Sequence, residues 1–200
     1  MYWWKYFMRL VWGPRVERID DYARKAAECL AALGRCDPVF DTWSAYLPGE
    51  EPFPLNKEAI KKWMLEVVAE QIESDDGYDS EFGYSITLNA GLNKEDWVQF
   101  QLQCSGRSDL FPNCCQLSLP GSGAAANRII RWNALSEVVA ALVRIWRPDW
   151  GHVMTDAQSE LERFGANGAQ IPFVSWLFYL CAERGPLPRL PEYFRVIPVE

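Results

Sequence analysis

Apolar and polar positions along the first part of the chain predict a strand followed by helices. Residues 3–12 are rich in aromatic and aliphatic side chains and end at Gly13-Pro14, as a strand does before a turn. Apolar positions then repeat at intervals of three and four up to Gly34, which predicts an amphipathic helix with Pro14 in its first turn. These positions are Ile19, Tyr22, Ala23, Ala26, Leu30 and Leu33.

The next elements are predicted from turn residues and a second helical stripe. Asp37-Pro38 starts a short helical turn that directs Phe40 and Trp43 inward, and the proline-rich segment 47–56 predicts a connecting loop. Asn56 then caps a helix whose apolar stripe is well separated from its charged positions. The stripe consists of Ile60, Trp63, Met64, Val67, Val68 and Ile72.

Three later segments alternate with period two, which is typical of strands. Their apolar positions are Tyr84, Ile86 and Leu88, then Val98, Phe100, Leu102 and Cys104, and then Cys115, Leu117 and Leu119. The positions between them are mostly serine, threonine, asparagine or glutamine. Such a pattern predicts an antiparallel sheet whose polar face is wet or covered by a layer that tolerates polar groups.

The rest of the chain adds a helix and further strands. Residues 121–126 read as a flexible Gly/Ala/Ser linker, and an apolar stripe from Leu135 to Trp146 predicts a helix that ends before Pro148. The remaining predicted elements are a strand at Trp150–Met154, a polar helix from Asp156 to about Phe164, a central strand at 171–181 and a last strand at 193–198. Because strands and helices do not alternate strictly, we predict an α+β fold, a mostly antiparallel β-sheet with several helices packed on it, in a single domain over 1–200.

Charge narrows the expected partners. Lysine and arginine number 20 and aspartate and glutamate 27, giving a formal net charge of −7. Binding to phosphates requires a basic footprint, so we expect a basic protein surface and not nucleic acid as the direct partner. The most apolar run, 171–182, is shorter than the roughly 20 residues of a membrane span, and the N-terminus lacks the order of a signal peptide. We therefore expect a cytoplasmic protein that does not bind membranes.

Residues that carry catalysis or bind metals are scarce. His152 is the single histidine, which is too few for a histidine-based metal site, and a lone histidine between apolar residues is more often structural. The six cysteines include no C-x-x-C pair, and the chain has no phosphate-binding G-x-x-x-x-G-K-S/T motif. We expect no cofactor, no metal and no enzymatic activity.

An acidic turn is the main candidate for binding. Glu73, Asp75, Asp76, Asp79 and Glu81 place five acids in nine residues with no basic residue among them. The turn is either a solvated loop or a patch that docks on a basic partner, where opposite potentials speed encounter. Glu50 and Glu51 join this patch if the two loops are neighbours.

Tryptophan is the second unusual feature, with 10 residues in the chain. Trp63, Trp146 and Trp176 lie on apolar stripes and are predicted to be buried. Trp3, Trp4 and Trp97 are at strand positions where a side chain can point away from the core. Outward tryptophans are either interface anchors or are covered by another part of the same chain.

Three separated motifs resemble the immunity protein 52 family. The first is Trp12-Gly13-Pro14-Arg15, with Asp37-Pro38-Val39-Phe40 and Trp43 following. The second is Trp146-Arg147-Pro148-Asp149-Trp150-Gly151-His152-Val153, which is similar to the pattern W-x-P-D-W-G-x-V. The third is Ser175-Trp176-Leu177-Phe178-Tyr179-Leu180 with the spaced prolines after it, where Ser175 replaces the usual glycine.

The resemblance implies an immunity protein that binds its cognate secreted toxin and protects the producing cell. Toxins of this setting are polymorphic or type VI secreted, often with a restriction-endonuclease-like nuclease domain, and the family supplies no active site to transfer. Occlusion of a basic nuclease groove by stoichiometric binding, or an allosteric block, would both fit the acidic charge. The alternatives are a hydrolase that uses His152 with Asp149 or Asp156, and an adaptor that loads a toxin onto a secretion system. The sequence leaves the oligomeric state open.

Overall fold

A computed structural model describes residues 4–15, 17–47, 50–73, 83–93, 95–106, 113–156, 163–164, 170–171, 177–185 and 198–199. Within these ranges, seven strands form one antiparallel sheet in the order β2-β3-β4-β5-β1-β6-β9. The strands are β1 (Trp4–Trp12), β2 (Trp43–Ser44), β3 (Tyr84–Ala90), β4 (Val98–Cys104), β5 (Asn113–Pro120), β6 (Trp150–Thr155) and β9 (Leu177–Leu180). Two short strands, β7 (Arg163–Phe164) and β8 (Gln170–Ile171), pair with each other.

Helices cover one face of the sheet and bury its apolar positions. They are α1 (Ile19–Cys36), α2 (Lys57–Glu73), α3 (Gly123–Ile129) and α4 (Trp132–Trp146), with a short 3-10 turn at Pro38–Phe40 after α1. Alternate residues of the central strands, such as Leu10, Phe100 and Leu117, are almost fully buried against these helices. The predicted α+β fold is confirmed.

The second face of the sheet carries a row of paired residues that is polar over β4 and β5. Because directly paired residues point to the same face, the register joins Gln101 to Gln116, Gln116 to Arg9, and Arg9 to His152. The glutamines are half-buried, whereas His152 is 1% exposed. The predicted polar face therefore exists over β4 and β5 and gives way to buried residues at β6.

The first helix begins later and ends later than predicted. Arg18 has an extended backbone and precedes the first helical residue, Ile19, so Pro14 lies outside the helix. Gly34 lies inside the helix, which runs on to Cys36. A Cβ atom at position 34 would be 3.3 Å from the Asp41 Oδ1 atom and 3.6 Å from the Phe40 carbonyl oxygen, so glycine serves a close approach of the following turn.

The predicted linker at 121–126 is wrong, because Gly123–Ile129 forms α3. Three consecutive alanines favour a helix, and the Ala125 N–H donates to the Asp96 carboxylate at 3.0 Å, which satisfies a free amide of the first turn. Asp96 is distant in sequence, so the local Gly/Ala/Ser composition did not reveal this stabilising contact.

Two predictions in the C-terminal part are also wrong where the structure describes them. The strand predicted at 171–181 as central is β9, four residues at the edge of the sheet, paired only to β6 within the described chain. The polar helix predicted to reach Phe164 does not, because Arg163–Phe164 is a strand. The structure does not describe residues 157–162, 172–176 or 193–197. Of the last strand predicted at 193–198, only Pro198 is described, and it is not in a strand.

Candidate functional site

The first two motifs meet at the carboxylate of Asp149. The Gly13 N–H donates to its Oδ2 atom at 2.9 Å, and the Arg184 guanidinium donates to the same atom at 2.6 Å. Burial raises the pKa of Asp149, but the hydrogen bonds from Arg184 and Gly13 outweigh it and hold the pKa below the ordinary value. Asp149 is thus an ionised link between the end of β1, the start of β6 and the turn after β9.

Arg15 connects the segment after β1 to the C-terminal end of α4. Its guanidinium donates to the carbonyl oxygens of Trp146, at 2.6 Å, and of Arg147. These carbonyls belong to the helix end, where a cation is favoured. The guanidinium also lies 5.6 Å from the Trp12 ring centroid, and Trp12 stacks on Trp146 at 5.4 Å with an interplanar angle of 9°. We call Trp12, Gly13, Arg15, Trp146, Asp149 and Arg184 the motif clamp.

Gly151 of the second motif is required by a close approach. A Cβ atom there would be 2.9 Å from the Arg9 carbonyl oxygen and would also clash with the Leu10 side chain. Any larger residue would push β6 away from β1. The motif residues therefore build and close the fold.

His152 lies on the buried second face of the sheet, beside Trp150, with ring centroids 5.4 Å apart. Burial, with a smaller contribution from Arg9, lowers the pKa of His152 to about 4. A hydrolase needs its histidine to meet water and substrate, which a ring that is 1% exposed does not do. This geometry does not favour the hydrolase alternative. Among the described residues, no group of three histidine, cysteine, aspartate or glutamate side chains is arranged to hold a metal ion.

The predicted acidic site is only partly within the described chain. Asp75, Asp76, Asp79 and Glu81 lie outside the described residues, and Glu73 is the last residue of α2. Glu50 and Glu51 are exposed on the loop between β2 and α2. That loop packs beside Trp63, ten residues before Glu73, which corresponds to about 15 Å along the helix axis. Of the seven predicted positions, the structure describes Glu50 and Glu51 and the backbone of Glu73.

The loop between β2 and α2 also carries an exposed aromatic surface that the sequence patterns did not predict. Tyr46 is 68% exposed and Leu47 is 54% exposed. The Tyr46 ring lies nearly perpendicular to Trp63 with ring centroids 6.0 Å apart, and the Phe53 ring also contacts Trp63 at 6.0 Å. We call Tyr46, Leu47, Phe53 and Trp63 the aromatic patch. Trp63 was predicted to be core, but it is half-buried and packs against Tyr46 and Phe53 of the loop.

The other tryptophans follow the predictions where they are described. Trp146 is buried, as predicted. Trp97 is half-buried, and its indole N–H donates to Asn89 Oδ1 at 2.9 Å, so another part of the same chain holds it. Trp3 and Trp176 lie outside the described residues, and only the backbone of Trp4 is described.

Comparison with known proteins decides the family. The family model described as Immunity protein 52 matches residues 5–200 of the chain. The chain belongs to the immunity protein 52 family. The first two motifs that suggested the family contribute Trp12, Gly13, Arg15, Trp146 and Asp149 to the motif clamp, so this part of the family pattern describes how the fold is held together.

One solved structure, the T6SS protein PA0821 of Pseudomonas aeruginosa, is similar to this family member with a TM-score of 0.41 and 9% identity. The match covers 76% of the present chain and 40% of the length of the Pseudomonas aeruginosa protein. No curated protein matches the chain. In this immunity protein 52 member, none of the described helices is both long and apolar enough to cross a bilayer.

Proposed function

We propose that the protein neutralises a secreted bacterial toxin with a nuclease domain by binding it stoichiometrically in the cytoplasm of the producing cell. The observation that carries this proposal is the match to the immunity protein 52 family over residues 5–200. The net charge of −7 supports a nuclease as the target, because a nuclease exposes a basic surface toward nucleic acid. Carboxylates of the protein would then stand where phosphates bind.

The carboxylates proposed to face the toxin are those of the acidic turn and the β2–α2 loop. They are Glu73, Asp75, Asp76, Asp79, Glu81, Glu50 and Glu51. Electrostatic steering by exposed acids accelerates association and weakens as salt screens it. We expect the combined change of Asp75, Asp76 and Asp79 to lysine to slow association at low salt by about tenfold or more. Equal association rates for the variant and the native protein would remove the turn from the interface.

Loss of the gene tests protection. When its expression is switched off in the producing cell, the proposal predicts self-killing that disappears when the nuclease site of the toxin encoded beside it is inactivated. An adaptor for secretion would instead cause loss of toxin export without self-killing. Survival of the producer with an active toxin would contradict the proposal.

Competition with nucleic acid tests the occlusion step. If the protein covers the nuclease groove, a catalytically inactivated toxin should bind either a labelled DNA duplex or the protein, and rising protein should release the DNA. A ternary complex of toxin, DNA and protein would contradict occlusion and indicate an allosteric block.

A further inference from the structure

We propose that the aromatic patch is the anchor of the partner interface and that it receives an arginine or lysine side chain from a cationic protein surface. This inference rests on the proposed function and adds where on the fold the toxin is held and by which chemistry. It stands on the exposure of the patch, the fixed position of its rings and the charges around it.

Tyr46 and Leu47 form an adjacent pair of exposed apolar side chains. The other large hydrophobic residues exposed in the described chain are Leu65, Leu92 and Trp132, each on a different element. Tyrosine and tryptophan are enriched among residues that dominate binding energy, because they contribute a large contact area at a small entropic cost. The pair is therefore a candidate contact surface, in contrast to scattered single residues.

The loop that carries the pair is held in place by buried polar residues. Asn89, which is 5% exposed, donates from its side-chain amide to the Tyr46 carbonyl oxygen. Ser44, which is 2% exposed, donates from its hydroxyl to the Leu47 carbonyl oxygen at 2.5 Å. Since the backbone is fixed and Trp63 supports the Tyr46 ring, little freedom is lost when a partner binds.

The loop contributes negative charge that the described structure leaves unpaired. Residues 37–56 contain no lysine or arginine. Glu50 and Glu51 are exposed, and neither forms a salt bridge within the described residues. The contact recorded for the Glu50 carboxylate is a long one of 3.4 Å from the Leu47 N–H.

The lysines of the neighbouring helix do not cancel this charge. Lys57 and Lys61 bind Asp20 of α1 at 2.8 and 3.1 Å, and Lys62 lies 3.5 Å from Glu66. Trp63 follows Lys61 by two residues, a rotation of about 200° around the helix, so the patch and the Asp20 contacts lie on opposite sides of α2. Within the loop 45–56, Glu50 and Glu51 are the charged residues, so the loop's own charge is negative.

An exposed aromatic ring on a loop that carries two exposed carboxylates is suited to a cation. The π-face of tyrosine or tryptophan attracts a guanidinium or ammonium group, and a carboxylate nearby can accept its hydrogen bonds. The aliphatic part of a lysine or arginine side chain can pack on Leu47 at the same time. A cationic nuclease surface presents such side chains, whereas an acidic or purely apolar partner would leave Glu50 and Glu51 unpaired.

The test uses the full-length protein and the purified, catalytically inactivated toxin encoded beside its gene, with binding followed by biolayer interferometry. We expect Tyr46→Ala to weaken binding by about tenfold or more, and Tyr46→Phe to stay within about threefold of the native protein. Glu50→Lys combined with Glu51→Lys should slow association by about tenfold at low salt and far less at high salt.

Matched controls separate contact from general damage. Trp132→Ala removes a partly exposed aromatic ring on α4, and Glu137→Lys reverses an exposed charge on the same helix, which packs on α1, α3 and β1. Both should bind as the native protein does, and thermal melting should show that every variant is folded. Because the glutamate changes affect exposed side chains, they test the site even if Tyr46→Ala is unstable.

The outcomes distinguish the inference from the proposed function. If the native protein binds and inhibits the toxin but the Tyr46 and Glu50/Glu51 variants bind equally well, the aromatic patch is not the interface and the proposed function stands. If the native protein itself does not bind the toxin, both are overturned.

Discussion

The motif clamp and the aromatic patch use the same kinds of residue in opposite ways. In the clamp, Trp12 stacks on Trp146, and the carboxylate of Asp149 receives hydrogen bonds from Gly13 and Arg184. In the patch, Tyr46 is mostly exposed, and Glu50 is left without a cationic partner among the described residues. The difference shows that the clamp residues of the first two family motifs support the fold, whereas the exposed aromatic patch lies outside those motifs.

The largest expected effect is on the stability of the clamp. Trp146→Ala removes the buried stacking partner of Trp12 and leaves a cavity, so we expect the free energy of unfolding to fall by about 3–5 kcal/mol. Urea denaturation followed by tryptophan fluorescence and circular dichroism measures this loss. The affinity of the remaining folded protein for the toxin should be unchanged. A native-like stability would show that the stack is not the support of this corner.

A second substitution in the motif clamp tests the contribution of its hydrogen bonds to stability. Asp149→Ala leaves the half-buried Gly13 N–H without its acceptor, and we expect a loss of about 2 kcal/mol in the free energy of unfolding at neutral pH. Arg184→Ala should cost less, because that side chain is 54% exposed. Glu137→Ala on the exposed face of α4 serves as the control and should have no measurable effect.

The effect of Asp149→Ala should also depend on pH. The folded pKa of Asp149 lies below its unfolded value, so its contribution is present above the unfolded pKa of about 3.9 and is lost as the pH falls through the folded pKa. The native protein and the variant should therefore become more alike in stability below about pH 4. A difference that grew in acid would mean that the carboxylate is not ionised in the folded protein.

His152, on the second face of the sheet, gives a further prediction about how stability depends on pH. Its folded pKa of about 4 lies below the unfolded value of 6.5, so the stabilisation is complete above the unfolded pKa and is lost as the pH falls toward the folded one. From pH 7.5 to pH 5 we expect the free energy of unfolding to fall by about 2 kcal/mol through this group. Replacing the single histidine by glutamine should remove that slope, as denaturation at a series of pH values would show. An unchanged slope would contradict the burial of the ring.

The smallest expected effect is on stability at the patch. Tyr46→Ala and the Glu50→Lys/Glu51→Lys pair change exposed side chains, so we expect the free energy of unfolding to change by about 0.5 kcal/mol or less. The same urea titrations provide this comparison. A loss as large as that of Asp149→Ala would mean that the patch belongs to the structural support of the fold.

Periodic patterns in the sequence correctly predicted strands and helices that bury one face. The alternation in β3, β4 and β5 and the stripe of α4 arise from one buried face, which a local pattern records directly. In α2, Ile60 and Met64 of the predicted stripe are buried, whereas Trp63, Val67 and Val68 are half-buried. The Asn56 cap of α2 is confirmed as well, with the Ala59 N–H donating to its side chain at 2.9 Å.

Features that depend on contacts between residues distant in sequence could not be predicted from local patterns. Helix α3 is capped by Asp96, and Gly34 serves an approach by Asp41, neither of which local composition records. The motif clamp joins Gly13 to Asp149 across 136 positions. The aromatic patch was missed because an apolar pair before Pro48-Gly49 is read as a turn, and its exposure is set by packing of the loop on Trp63. Domain extent over 1–200 stays a prediction.

The most direct test of the central claim is a titration of the toxin's nuclease activity with the purified protein at toxin concentrations far above the dissociation constant. Stoichiometric neutralisation predicts a linear fall in activity that reaches zero near one equivalent of protein. At toxin concentrations near the dissociation constant, the Glu50→Lys/Glu51→Lys variant should require more protein than the native chain for half-maximal inhibition. Complete inhibition at a few hundredths of an equivalent, or full nuclease activity in the presence of excess bound protein, would contradict the account.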